Sequence, residues 1–409
     1  MEQFETLSPP QRAAMARSMT SGRAALARRS LLRVAGLGAL AGVGLTGCGI
    51  PAAGRKGATA STDHSAQEKV VDFSNWTEYI DVTDDGKHHP TLDAFTKRTG
   101  IKVKYTEDIN DNVEFFGKIK PQLAAGQDTG RDLMVLTDWL AGRMIRLGWV
   151  QQLDSANLPH AYANLEQRFR SPDWDPGRAY SYPWQGISTC IAYNKKATGG
   201  RKVTSVSQLL EDGSLKGRVA MLSEMRDTIG MTLLDMGELP EKVTDDTFDA
   251  AVARIQKAVD SQQIRKFTGN DYTDGLSKGD IAACVAWAGD LVQLRLDDPD
   301  IEYVFPDAGF LSSTDNLLIP DKARHKTNAE RLIDYYYEPP VAAQVAAYIN
   351  YVCPVAGVKP YLAKIDPKLA SNPLIIPDAS MDAKGHEFRS LTDTEDARYE
   401  DKFSKLIGA

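Results

Sequence analysis

The side chains with most chemistry to offer are carboxylates and aromatics that recur just past short apolar runs. Trp76, Thr77, Glu78 and Tyr79 follow the run 70–73; Thr137, Asp138 and Trp139 follow 133–136. Glu224 and Asp227 follow 219–222, and Trp287 and Asp290 follow 281–286. Singly, each has an ordinary explanation, since tryptophan packs in cores and an aspartate after a strand caps the next helix. Together they suit one task, in which acids accept ammonium groups and aromatic faces cover the methylenes between them. A hydrogen bond to a charged group contributes about 1.5–3 kcal/mol, and an ammonium over an aromatic face about 0.5–2 kcal/mol. Two or three acids also offset the cost of stripping water from the cations. The set fits an alkyl diamine or triamine, whereas a phosphate site would need basic donors.

Catalytic constellations are missing from the sequence. It has no H-E-x-x-H pair, phosphate loop or C-x-x-C. His88 and His89 are adjacent, so their side chains point apart and do not share a metal. The expectation is a binding protein without enzymatic activity, metal or cofactor.

The elements that must position these residues alternate between helix and strand. Residues 101–105 alternate apolar and polar, 113–125 and 247–259 have helical spacing, and 280–287 is a near-continuous apolar run. Such a run is expected of a strand covered on both faces, and the alternation predicts an α/β fold with largely parallel sheets. Ligands in open α/β sheets bind beyond the carboxyl ends of strands, where the candidates stand. A chain of 409 residues exceeds what one core sustains, so two domains are expected.

The first residues predict export. Arg28 and Arg29 precede an apolar run over 34–46, which is shorter than the roughly 20 residues of a spanning helix. The paired arginines resemble a twin-arginine export signal. Leu45-Thr46-Gly47-Cys48 resembles a bacterial lipobox, implying cleavage after residue 47 and lipidation of Cys48. Residues 48–67 are small and polar and predict a flexible tether. Residues 1–47 carry six Arg against Glu2 and Glu5, so their removal takes the formal net charge from −7 to −11. That balance argues against nucleic acid as a partner. Cys190, Cys284 and Cys353 are an odd number in apolar surroundings, read as buried thiols without a disulfide framework.

The stretch Phe73-Ser74-Asn75-Trp76-Thr77-Glu78-Tyr79 resembles the opening of bacterial spermidine/putrescine-binding proteins, the periplasmic receptors of polyamine importers of the ABC class. The resemblance continues through Tyr182-Pro183-Trp184, Leu222-Ser223-Glu224-Met225-Arg226-Asp227, Trp287-Ala288-Gly289-Asp290 and Asp315-Asn316-Leu317. It implies a two-lobed fold that closes on a polyamine and delivers it to permease subunits; a lipidated Cys48 would hold the protein on the outer face of the cytoplasmic membrane, and a monomer is expected. It assigns Trp76, Thr77, Glu78, Tyr79, Thr137, Trp139, Glu224, Asp227, Trp287 and Asp290 to the ligand site. The lobes are expected over 68–187 with 288–318, and 189–287 with 319–409, with crossovers near 186–189, 286–290 and 317–320. Two other readings stay open: a receptor for another solute or organic cation, and a secreted α/β enzyme.

Overall fold

The computed structural model describes residues 61–83 and 85–408; the export segment and Cys48 lie outside them. Ten strands follow in chain order: β1 Val70–Trp76, β2 Lys102–Ile109, β3 Leu133–Thr137, β4 Ser181–Asn194, β5 Val219–Leu222, β6 Ile264–Thr268, β7 Ala283–Trp287, β8 Ile301–Val304, β9 Phe310–Leu318 and β10 Gly385–His386. Each lobe is built on three parallel strands, β2-β1-β3 in the first and β6-β5-β7 in the second. Long β4 belongs to both. Its first half lies antiparallel to β9 and its second half, from Thr189, antiparallel to β7 and β8. The result is a two-lobed α/β fold with mixed sheets, as expected.

β3, β5 and most of β7 are buried along their length, which explains their uninterrupted apolar sequences. The helix Asp245–Asp260 starts at a capping box on Thr244 and buries Phe248, Ala251 and Ile255 against the second lobe.

The lobe boundaries differ from those expected. The helix Ala288–Asp297 packs Leu291 into the second lobe's core, and β8 pairs there with β4. The chain returns to the first lobe inside β9, whose Leu311 joins the second core and whose Leu317 joins the first. Helices Lys326–Tyr336, Pro339–Ile349 and Lys359–Ile365 then cover the first lobe, and the final helix Asp393–Ile407 crosses back to the second. Trp287 packs against both cores, but the chain beyond it stays in the second lobe, so the crossover expected near 286–290 is not there. The three consecutive tyrosines, 335 to 337, are packing residues. Tyr336 meets Trp184 edge-on at 4.8 Å, and the Tyr337 hydroxyl donates to the Pro183 carbonyl at 2.6 Å.

The tether also ends sooner than residue 67. Asp63 accepts from the Thr327 hydroxyl, Ser65 Oγ accepts the Asn328 N–H at 3.0 Å, and the His64 N–H donates to the Arg324 carbonyl at 2.7 Å. Nearby, Asp72, Asp132 and His325 approach one another closely. Both His325 ring nitrogens are already engaged by carboxylates, Asp132 at 2.7 Å and Glu68 at 2.9 Å, so the cluster fastens the segment to the lobe.

Candidate functional site

A cavity of about 490 Å³ opens between the lobes, within the usual range for small-molecule sites. Nine of the ten expected residues line it: Trp76, Thr77, Glu78 and Tyr79, then Thr137, Glu224, Asp227, Trp287 and Asp290. Trp139 does not. Its ring lies behind the wall, where Nε1 donates to Glu224 Oε2 at 3.2 Å and the Arg226 guanidinium stacks 4.2 Å above it.

The backbone delivers the first group by a turn beyond β1. Glu78 adopts φ +59, a left-handed conformation costly for a non-glycine residue, and its N–H donates to Glu107 Oε1 at 3.1 Å. That turn leaves Thr77 and Glu78 at the mouth and sends Tyr79 inward. The Trp76 indole N–H is taken by the Val135 carbonyl at 3.1 Å, so this tryptophan lines the cavity with its donor already engaged.

The second lobe supplies most of the acids. Trp287 Nε1 donates to Asp227 Oδ2 at 3.1 Å. Asp290 accepts from the Tyr272 hydroxyl at 2.6 Å, Asn270 Nδ2 at 2.9 Å and, across the cleft, the Tyr351 hydroxyl at 2.6 Å. Gly289 makes that last bond geometrically feasible, because a Cβ there would stand 2.2 Å from the Tyr351 ring.

Asp315 and Tyr351 also take part although neither is among the ten expected residues, Asp315 opening one of the stretches that carry the resemblance. Asp315, on β9, accepts from Thr137 Oγ1 at 2.8 Å, and the Tyr79 hydroxyl is buried beside it without a well-formed hydrogen bond. Tyr351 follows a helix that ends on left-handed Asn350. No local periodicity marks either residue, because both act through contacts distant in sequence.

The electrostatics are one-sided. Seven carboxylates line the cavity and no Lys, Arg or His does. Glu224, Asp227, Asp290 and Asp315 have no ion-pair partner among the described residues, and all four are pushed up in pKa first by burial. Glu224 rises well above the usual range, with Asp111 and Asp227 adding repulsion. Asp227 rises to about 7 despite the Trp287 hydrogen bond. Asp290 rises although Tyr272, Tyr351 and Asn270 favour its ionised form. Asp315 rises to about 7, with Thr137 and Tyr79 pulling the other way. Lifting the Asp315 carboxyl from 3.8 to about 7 represents roughly 4 kcal/mol against its ionised form. A bound cation would recover much of that. The chemistry on offer is reception of positive charge between aromatic walls.

The comparisons agree with a receptor. Residues 91–376, well over half the chain, match the bacterial extracellular solute-binding protein family. The spermidine/putrescine-binding periplasmic protein of Salmonella typhimurium is 27% identical over 355 residues, which cover 87% of this chain and 96% of that protein. Among solved structures, a putative spermidine/putrescine ABC transporter from Listeria monocytogenes superposes with a TM-score of 0.71 at 22% identity, covering 83% of this chain and 99% of that one. The TpPotD lipoprotein of Treponema pallidum gives 0.69 at 18% identity, covering 83% and 100%. With two lobes, an interlobe cavity and this match along its sequence, the chain belongs to the family of bacterial extracellular solute-binding proteins.

Proposed function

We propose that this protein is the polyamine receptor of an ABC importer, held outside the cytoplasmic membrane through a lipidated Cys48. The observation that carries the reading is a cavity with seven acids and no base, four of the acids interior and without a cation. A ligand with several ammonium groups on an apolar chain meets that demand, and the Trp76 and Trp287 rings cover its methylenes. Glu224 and Asp227 receive one terminal ammonium, and Asp290 receives another. The curated relative named for spermidine and putrescine supports the same ligand class. Trp139 contributes by holding Glu224 in place. The lipidated anchor follows from the lipobox-like sequence at Cys48, and a related fold occurs in a lipoprotein. Delivery to permease subunits follows from the family's role.

Isothermal titration of the purified protein with putrescine, spermidine and spermine tests the ligand. Saturable binding of at least one is expected, and no heat from any of the three overturns the polyamine assignment. Replacing Cys48 by Ala tests the anchor, since the variant should be released from the membrane.

A further inference from the structure

Away from the cavity, two helices of opposite lobes present charge of opposite sign to each other. The helix Asp138–Arg146 buries Leu140, Ala141 and Met144 in the first lobe. Its other face sets Trp139, Arg143 and Arg146 in one stripe, at i, i+4 and i+7. The final helix buries Tyr399, Phe403 and Leu406 in the second lobe's core. It sets Asp393, Asp396 and Glu400 in a stripe of its own.

The stripes meet. Arg146 pairs with Asp393 at 2.9 Å and Arg143 with Asp396 at 3.6 Å, both from lobe to lobe. Beside them Arg226, on the second lobe's helix Met225–Asp235, pairs with Asp396 and Glu400 and stacks on the first lobe's Trp139. The contact continues along the segment before the final helix. There Arg168 pairs with Asp382 at 2.8 Å, and Ser390 Oγ donates to Asp173 at 3.2 Å. All three cross-lobe ion pairs run from an arginine of the first lobe to an acid of the C-terminal segment. They are formed in the same arrangement in which Tyr351 reaches Asp290 across the cleft, so they favour lobes drawn together.

We infer that residues 382–400 form an ionic clasp that holds the lobes together before the ligand arrives and so sets affinity from outside the cavity. The inference concerns closure and does not depend on which solute the cavity takes. A partly exposed ion pair shifts an equilibrium by at most about fivefold, and salt screens it. Three pairs acting on one hinge motion multiply their effects. Apparent affinity scales with the fraction of protein in the competent arrangement, so closure that the clasp does not supply is drawn from ligand binding.

The test combines Arg146→Gln with Arg168→Gln, which removes two pairs at partly exposed positions and leaves every front-cavity side chain in place. In small-angle scattering at about 50 mM salt, the unliganded double variant should have a larger radius of gyration than the wild type. Its spermidine affinity should be about 5- to 10-fold weaker, with the unfolding midpoint unchanged. Arg146→Lys with Arg168→Lys keeps the charges and should stay within about twofold of wild-type affinity. Raising salt to about 1 M should expand the unliganded wild type as well. A wild-type radius independent of salt overturns the inference, even if a variant does not fold. Equal radii for the wild type and the Gln variant at low salt overturn it too, as does equal loss of affinity in the Gln and Lys variants. If the wild type binds no spermidine, the polyamine reading falls and the scattering comparison alone decides the clasp.

Discussion

Two cavities lie between the same two lobes, separated by the contact of Trp139 with Glu224, and they treat charge in opposite ways. The one behind Trp139, about 340 Å³, is lined by both acids and arginines, and the arginines have partners. Arg226 pairs with Asp396 at 2.5 Å, Arg146 with Asp393 at 2.9 Å, Arg168 with Asp382 at 2.8 Å and Arg389 with Glu395 at 2.7 Å. Buried Arg178 donates instead to the Phe169 carbonyl, Ser181 and Asn316. The cavity in front holds acids alone. Polar content does not distinguish a ligand site from an interlobe gap. A lining without any cation does, because its buried acids carry that cost until a partner arrives.

The same substitution in each cavity should therefore have opposite consequences. In the front cavity, Asp290→Asn keeps the shape and removes a charge. It should weaken polyamine binding by about 30- to 1,000-fold while costing at most about 1 kcal/mol of folding stability, measured by titration and by denaturant unfolding. In the rear cavity, Asp396→Asn leaves Arg226 without its closest partner and should cost about 3 kcal/mol of stability. Equal stability losses for the two would erase the contrast. A smaller effect tests the wall between the cavities: Trp139→Phe removes the indole donor to Glu224 and should reduce affinity about fivefold, as expected for one hydrogen bond.

Much of this site can be read along the chain, for a physical reason. Residues at the carboxyl ends of parallel strands project into the cleft whatever the details of packing, so nine of the ten sequence candidates reach the same cavity. Trp139 shares the strand-end position of Thr137, but its ring turns to the far side because Arg226 stacks on it. Asp315 and Tyr351 depend on partners far away in sequence, Thr137 and Asp290, and no local pattern announces such contacts. The parallel cores follow from apolar runs. The lobe assignment of 288–409 does not, because helices of either lobe have similar amphipathic sequences and only packing decides which core receives them. The docking of 63–65 rests on a few polar contacts, and composition alone reads that stretch as tether.

On the polyamine reading, burial holds the front acids partly protonated and the arriving cation ionises them. Their raised pKa fixes the sign: below about 7, Asp227 and Asp315 must lose protons for the ligand to bind, so affinity should rise with pH and level off above about 7. The direct measurement is calorimetric titration of spermidine at pH 6.5 in buffers of different ionisation enthalpy, which counts protons exchanged on binding. Release of about one proton or more per ligand is predicted. Binding with no proton release at pH 6.5, and with affinity constant from pH 5.5 to 8.5, would contradict the account.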